Sequence, residues 1–140
     1  MLLDEIGARL STQSIASSSG VDGWLLVQSF MPDSTAMQDK VVALIETPGG
    51  PPSPRVEIDF PSFQVRVRGD PITTTSTSYQ ETRQKIEDIK LELHGIDNLT
   101  LSSRYYVMIV AEQEPFLLEY DAQDRPHLAC NFTAWRSRTT

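Results

Sequence analysis

Residues 46–70 read ETPGGPPSPRVEIDFPSFQVRVRGD, and the reading of this stretch decides the fold. Five of the nine prolines lie between Pro48 and Pro61. Proline fixes φ and removes a backbone donor, so Pro48–Pro54 cannot continue a sheet. A long loop of this kind in a small protein is either functional or disordered, and its prolines reduce the entropy lost on ordering. They favour an ordered contact arm. Beyond it, Phe63, Val65 and Val67 alternate with Gln64, Arg66 and Arg68, the period of a strand with one face on a core. Upstream, Val56, Ile58 and Phe60 alternate with Glu57 and Asp59 on the opposite parity. A one-residue slip turns every side chain over, so the pattern predicts a bulge, bend or turn at Pro61–Ser62 between two separate extended pieces.

Working outward, Val41 to Thr47 reads as a strand apolar on both faces, and Trp24 to Phe30 as another, closed by Pro32 and Asp33. Leu3, Ile6 and Leu10 recur at helical spacing, with Asp4 and Glu5 in the first turn. They predict a helix from residue 2 to about 16, ended by Ser17-Ser18-Ser19-Gly20. Downstream, Gly69-Asp70-Pro71 ends the central strand. A second helix is expected from about Tyr79 to His94, with Tyr79, Ile86, Ile89 and Leu93 on one stripe. Ser78 and Glu81 stand at capping-box spacing, and Gly95 lies just past the end. Residues 104–112, RYYVMIVAE, form the most apolar strand. Phe116–Tyr120 and His127–Trp135 then make an antiparallel hairpin around Asp121–Arg125, with a polar tail from Arg136. The order is αβββαβββ: an α+β fold, mainly antiparallel, with two helices packed on the sheet. The 140 residues suit a single domain, and no internal repeat is found.

Composition narrows the function. Net charge is −7, and only three of the twelve basic residues are lysines, which argues against DNA binding as the main task. The start, MLLDEIGARL, does not read as a signal peptide, and no run of 18 apolar residues suggests a membrane span. The expectation is a soluble protein made in the cytoplasm. Cys130 is the lone cysteine, so no internal disulfide can form.

Catalytic patterns are missing as well. There is neither a phosphate-binding G-x-x-x-x-G-K-[ST] nor a G-x-S-x-G, and no cofactor is implied. His94 reads as a dipole partner at a helix end. His127 and Cys130, three apart in a strand, face opposite ways and make a poor metal pair. Asp121 and Asp124 fit turn chemistry better than a catalytic pair. The Asn-x-Thr patterns at Asn98 and Asn131 lack a secretory context. Gln64, Arg66 and Arg68 share a polar strand face, which serves either solvation or an interface with acidic groups of another subunit.

The string Glu46-Thr47-Pro48-Gly49-Gly50-Pro51-Pro52, then Gln64-Val65-Arg66-Val67-Arg68-Gly69 and a helix, resembles the tail terminator and minor capsid family of long-tailed bacteriophages. So does the closing turn, Tyr120-Asp121-Ala122-Gln123-Asp124-Arg125, followed by a strand through Asn131-Phe132. The resemblance runs from Trp24 to about Arg136. Pro48 between Thr47 and Gly49 departs from the family pattern, as does the polar tract Thr73–Ser78. The resemblance implies a structural virion protein of the tail or neck. It would form a ring, typically of six copies, on the head-proximal end of the tail tube. Its partners would be further copies of itself, the tail tube protein and a head–tail connector or stopper, with genomic DNA passing through the lumen unbound and no membrane. On this reading the contact residues are the arm, Pro48, Gly49, Gly50, Pro51, Pro52 and Pro54, the strand face Gln64, Arg66 and Arg68, and the hairpin tip Asp121, Asp124 and Arg125. Other neck or tail-completion proteins and tail tube subunits share these features. An enzyme with an unrecognised site, or a generic oligomeric binding module, is the reading from another class.

Overall fold

The computed structural model describes residues 1–20, 23–32, 37–52 and 54–138. Asp33, Ser53 of the proline arm and the last two residues of the tail lie outside that set. The order is α1 (Leu2–Thr12), β1 (Leu25–Gln28), β2 (Val41–Thr47), β3 (Ile58–Asp59), β4 (Ser62–Arg68), α2 (Ser78–Leu93), β5 (Ile96–Leu101), β6 (Arg104–Ala111), β7 (Phe116–Tyr120) and β8 (Pro126–Ser137). The strands make one eight-stranded sheet, in the order β1-β2-β4-β8-β6-β5, with β3 and β7 also paired to β8. All named pairs are antiparallel except β1 with β2. The expected α+β class holds.

Both helices cover one face. The odd positions Phe63, Val65 and Val67 of β4 sit between Val42 and Leu44 of β2 and Leu128, Cys130 and Phe132 of β8. All of these are buried with Leu3, Ile6 and Leu10 of α1 and Ile86, Ile89 and Leu93 of α2. Each such large side chain contributes about 1.5–3 kcal/mol on leaving water. Phe63 and Phe132 stack across the strand pair at 5.2 Å between ring centroids. Gly69, where β4 meets α2, allows that layer to close: a Cβ there would lie 1.9 Å from Thr82 Oγ1.

Helix ends differ from the predicted ones for local reasons. α1 stops at Thr12, because Ser14 takes a φ of 58°. Ser14 N–H then donates to Ser11 O (3.1 Å) and Ile15 N–H to Leu10 O (3.0 Å), the paired bonds of a Schellman ending. At α2 the cap residue is Thr77, and Ser78 does not form the expected box with Glu81; its hydroxyl donates to Asp70 O at 2.5 Å. Tyr79 is exposed and Thr82 takes its place on the buried stripe. Gly95 follows the helix with a φ of 87°, the role predicted for it. His94, expected to face the helix dipole, instead accepts the Ala111 N–H through Nδ1 at 2.8 Å.

Two further corrections concern strands. β5 has no counterpart in the expected order; it pairs with β6 through a two-residue turn at Ser102 and Ser103. The break at Pro61–Ser62 is not a change of register. Ile58 faces Ser137 and Ser62 faces Thr133, so β3 and β4 follow β8 in one continuous alignment. The alternation therefore never flips. Ile58 and Phe60 lie on the face of Gln64 and Arg66, opposite the helices, and Phe60 meets Trp135 edge-to-face at 5.9 Å.

Candidate functional site

The face of the sheet away from the helices and the arm beside it carry the predicted contact residues. The arm is the connection between β2 and β4, which are hydrogen-bonded neighbours with Thr47 opposite Ser62. A tight hairpin needs two to five linking residues, and the rest of this excursion serves no pairing of the two strands. Pro48, Gly49, Gly50, Pro51, Pro52 and Pro54 are all exposed. Its root is nonetheless held. Gly50 N–H donates to Phe60 O at 2.9 Å, and a Cβ on Gly49 would stand 2.4 Å from that same oxygen. Only glycine allows the chain to return so close to Phe60. An open pocket of about 430 Å³ lies at this root, between Gly49, Gly50, Pro52 and Phe60 on one side and Leu2 and Arg136 on the other.

From the arm the outer face runs along β4 and β8. Ser62 and Thr133 hydroxyls approach at 3.2 Å, and Thr133 donates to Glu112. Gln64 Nε2 donates to Asn131 Oδ1 at 3.0 Å, and Arg66 Nη2 to Gln64 Oε1 at 3.3 Å. Gln64 and Arg66 remain partly exposed. Arg68 does not. It is 1% exposed, and it donates through Nε to Asp39 O (2.9 Å), through Nη2 to Gln38 O (3.1 Å) and through Nη1 to Pro32 O. Pro32, Gln38 and Asp39, from the connection between β1 and β2, cover the outer face here.

The hairpin tip is a charge cluster. Tyr120 pairs with Pro126, which leaves the expected five-residue loop. Asp121 Oδ1 accepts the N–H groups of Gln123 (2.9 Å) and Arg125 (3.1 Å), the Asx-type turn chemistry that favours Asp there. Its Oδ2 takes Arg125 Nε at 2.8 Å and His127 Nε2 at 2.9 Å. Partial burial alone would raise the Asp121 pKa. The hydrogen bonds from His127, the two backbone amides and the Arg125 guanidinium outweigh it and hold the carboxyl well below the usual range. Arg125 is 3% exposed and also reaches Asp39 Oδ1 at 3.1 Å, tying the tip to the covering segment. Asp121 and Arg125 are thus joined to each other, while Asp124 stays exposed in a left-handed turn (φ 60°).

Two features have no signal in sequence. His127 joins Asp121, a partnership that only the hairpin creates. Glu5, on the apolar side of α1, accepts from Tyr106 Oη at 2.6 Å and lies 3.4 Å from Arg136 Nη1. Burial and then the Glu5 carboxylate push the Tyr106 phenol up. Cys130 faces the core, and burial raises its thiol to about 11. Among the described residues no group of three or more His, Cys, Asp or Glu side chains could hold a metal, and no helix is long and apolar enough to cross a membrane.

The arm is thus tethered at its root and exposed beyond it, beside a polar sheet face. A chain in the virion of a native gene transfer agent particle shares the fold, with a TM-score of 0.65 at 13% identity over 97% of this chain and 94% of that one. No curated protein matches the sequence. The family described as bacteriophage tail terminator protein matches residues 11–137, a span that takes in the arm, the outer face and the hairpin tip. The chain therefore belongs to the bacteriophage tail terminator family and is a structural component of a phage tail-type particle.

Proposed function

We propose that the chain acts as a single domain that assembles into a closed ring, six copies being the typical number. The ring sits on the head-proximal end of the tail tube, stops its polymerisation and presents the docking surface for the head–tail connector. The observation that carries this reading is the family match over residues 11–137. The exposed arm and the polar outer face support it, because ring closure needs two different surfaces on each copy. Assembly of the chain takes place in the host cytoplasm. A net charge of −7 suits a lumen through which DNA passes without sticking, since like charges repel. The reading ascribes no catalytic activity to the chain.

Negative-stain images of the purified protein, alone and mixed with tail tubes of the same particle, test the proposal. Single rings seated at one end of each tube are expected. Long tubes grown from the pure protein would make it a tube subunit instead.

A further inference from the structure

We propose that Arg138, just past the end of β8, is the positioning residue of the proline arm: it clasps the arm's downstream limb to the sheet and so sets the direction in which Pro51, Pro52 and Pro54 project for assembly. The inference rests on the ring reading above and names what holds the contact element in place. Arg138 N–H donates to Glu57 O at 3.0 Å. Its Nε donates to Asp59 Oδ1 at 3.2 Å, and its Nη2 to Val56 O at 3.3 Å. One residue thus grips Val56, Glu57 and Asp59 together. The guanidinium suits this task, because its donors are fixed in one plane and reach a carboxylate and a carbonyl at once. The grip also stands on a firm base. Arg136 Nη1 lies 3.4 Å from Glu5 Oε1, and Arg104 Nη1 donates to Ser137 O at 2.9 Å, so α1 and β6 both hold the strand end that carries Arg138.

The rest of the limb has little else to orient it. β3 is only two residues long, Ile58 and Asp59, below the usual length of a strand. Residues 54–57 are exposed and take no part in the core cluster. On the upstream side the Gly50 N–H bond to Phe60 O fixes the root. Root and clasp together leave the proline tip as the part that projects. The clasp itself lies in water: the side chains of Arg138 and Asp59 are 39% and 31% exposed. Solvent screens an ion pair in that position, so it adds little to global stability. The direction of the loop is another matter. A limb released from the sheet samples many shapes, and ordering it again on docking costs entropy. Loss of Arg138 should therefore be felt in assembly and hardly at all in folding.

The test is Arg138→Ala in the full chain, read in three ways. Backbone order parameters of Val56 and Glu57, from nitrogen relaxation, should fall from about 0.8 to below about 0.6. The melting temperature should stay within about 2 °C of wild type. Capping of tube ends, counted by negative stain, should fall about tenfold. A covalent clasp then separates direction from charge. Ile58 and Ser137 face each other, and the neighbouring bond from Arg138 to Glu57 makes theirs a non-hydrogen-bonded pair, close enough for a disulfide. Ile58→Cys with Ser137→Cys, added to Arg138→Ala, should when oxidised restore order and capping to within about twofold, and lose both on reduction. Cys130 is buried in the core and stays apart from this pair. Unchanged order parameters in Arg138→Ala, or a melting temperature lowered by more than about 5 °C, would overturn the inference. A mobile limb with wild-type capping would overturn it too, and would leave the ring reading standing. If wild-type protein forms no rings with tubes, the ring reading itself fails, and the order parameters still decide whether Arg138 holds the arm.

Discussion

At the scale of single residues, position on a strand face does not decide accessibility. Arg66 and Arg68 share that face, yet the Met31–Pro32 and Gln38–Asp39 stretches cover one and leave the other open. Alternation assigns both to the polar side and says nothing about a covering segment some 30 residues away in sequence. Arg68→Ala should therefore destabilise the monomer by about 3 kcal/mol, measured by urea denaturation, because the covering carbonyls lose charged donors. Arg66→Ala should stay within about 0.5 kcal/mol of wild type in the same measurement. Asp121 gives a pH test. Its folded pKa lies below the unfolded value of about 4, so its contribution is fully present above that value and lost as pH falls through the folded one. Asp121→Asn cannot titrate. At pH 7 it should be less stable than wild type by about 3 kcal/mol, since Arg125 is buried beside it. The gap should narrow steadily below about pH 4. A gap that stays constant down to pH 2 would show that the charge of Asp121 contributes nothing.

At the scale of elements, the helices, the central strand and the β7–β8 hairpin are legible in sequence because each has one strong period and a recognisable stop. β5 is not, for two physical reasons. Asn98 has a φ of 49°, which interrupts the alternation of Ile96, Leu99 and Leu101. The turn to β6 is made by Ser102 and Ser103 at φ 48° and 72°, conformations that ordinarily call for Asn-Gly. Left-handed φ costs an L-residue about 1–2 kcal/mol. The double substitution Ser102→Asn with Ser103→Gly should raise stability by about 1 kcal/mol, seen as a higher melting temperature with unchanged ring assembly. The apparent change of parity at Pro61 has a similar lesson. Apolar residues on both parities suggest a slip, but the sheet has an apolar site on its outer face as well, where Phe60 and Trp135 meet. Parity alone cannot distinguish a turned strand from a sheet with two apolar faces.

At the scale of the molecule, the proposed ring would place stability and contact in different parts of the chain. The core lies between the sheet and two helices, while the exposed part of the arm adds no apolar burial to it. Prolines there restrict the shapes a free loop can take, and in the proposed ring this would lower the entropy lost when the arm docks. Replacing Pro51, Pro52 and Pro54 together by Ser should thus separate two measurements. Thermal unfolding of the monomer should shift by no more than about 1.5 kcal/mol, the sum expected of three surface changes. Ring formation on tube ends, counted by negative stain, should fall about tenfold, because a freer arm loses more entropy on docking. If capping falls only as far as monomer stability does, the arm is a structural loop with no assembly role. If neither changes, the prolines are incidental and the contact lies with the outer face alone. The root should behave differently from the tip. Gly49→Ala places a Cβ 2.4 Å from Phe60 O, so it should lower monomer stability by about 1–3 kcal/mol as well as capping. A root variant that harms the fold, beside tip variants that spare it, is the signature of an arm anchored to the sheet and free to reach beyond it.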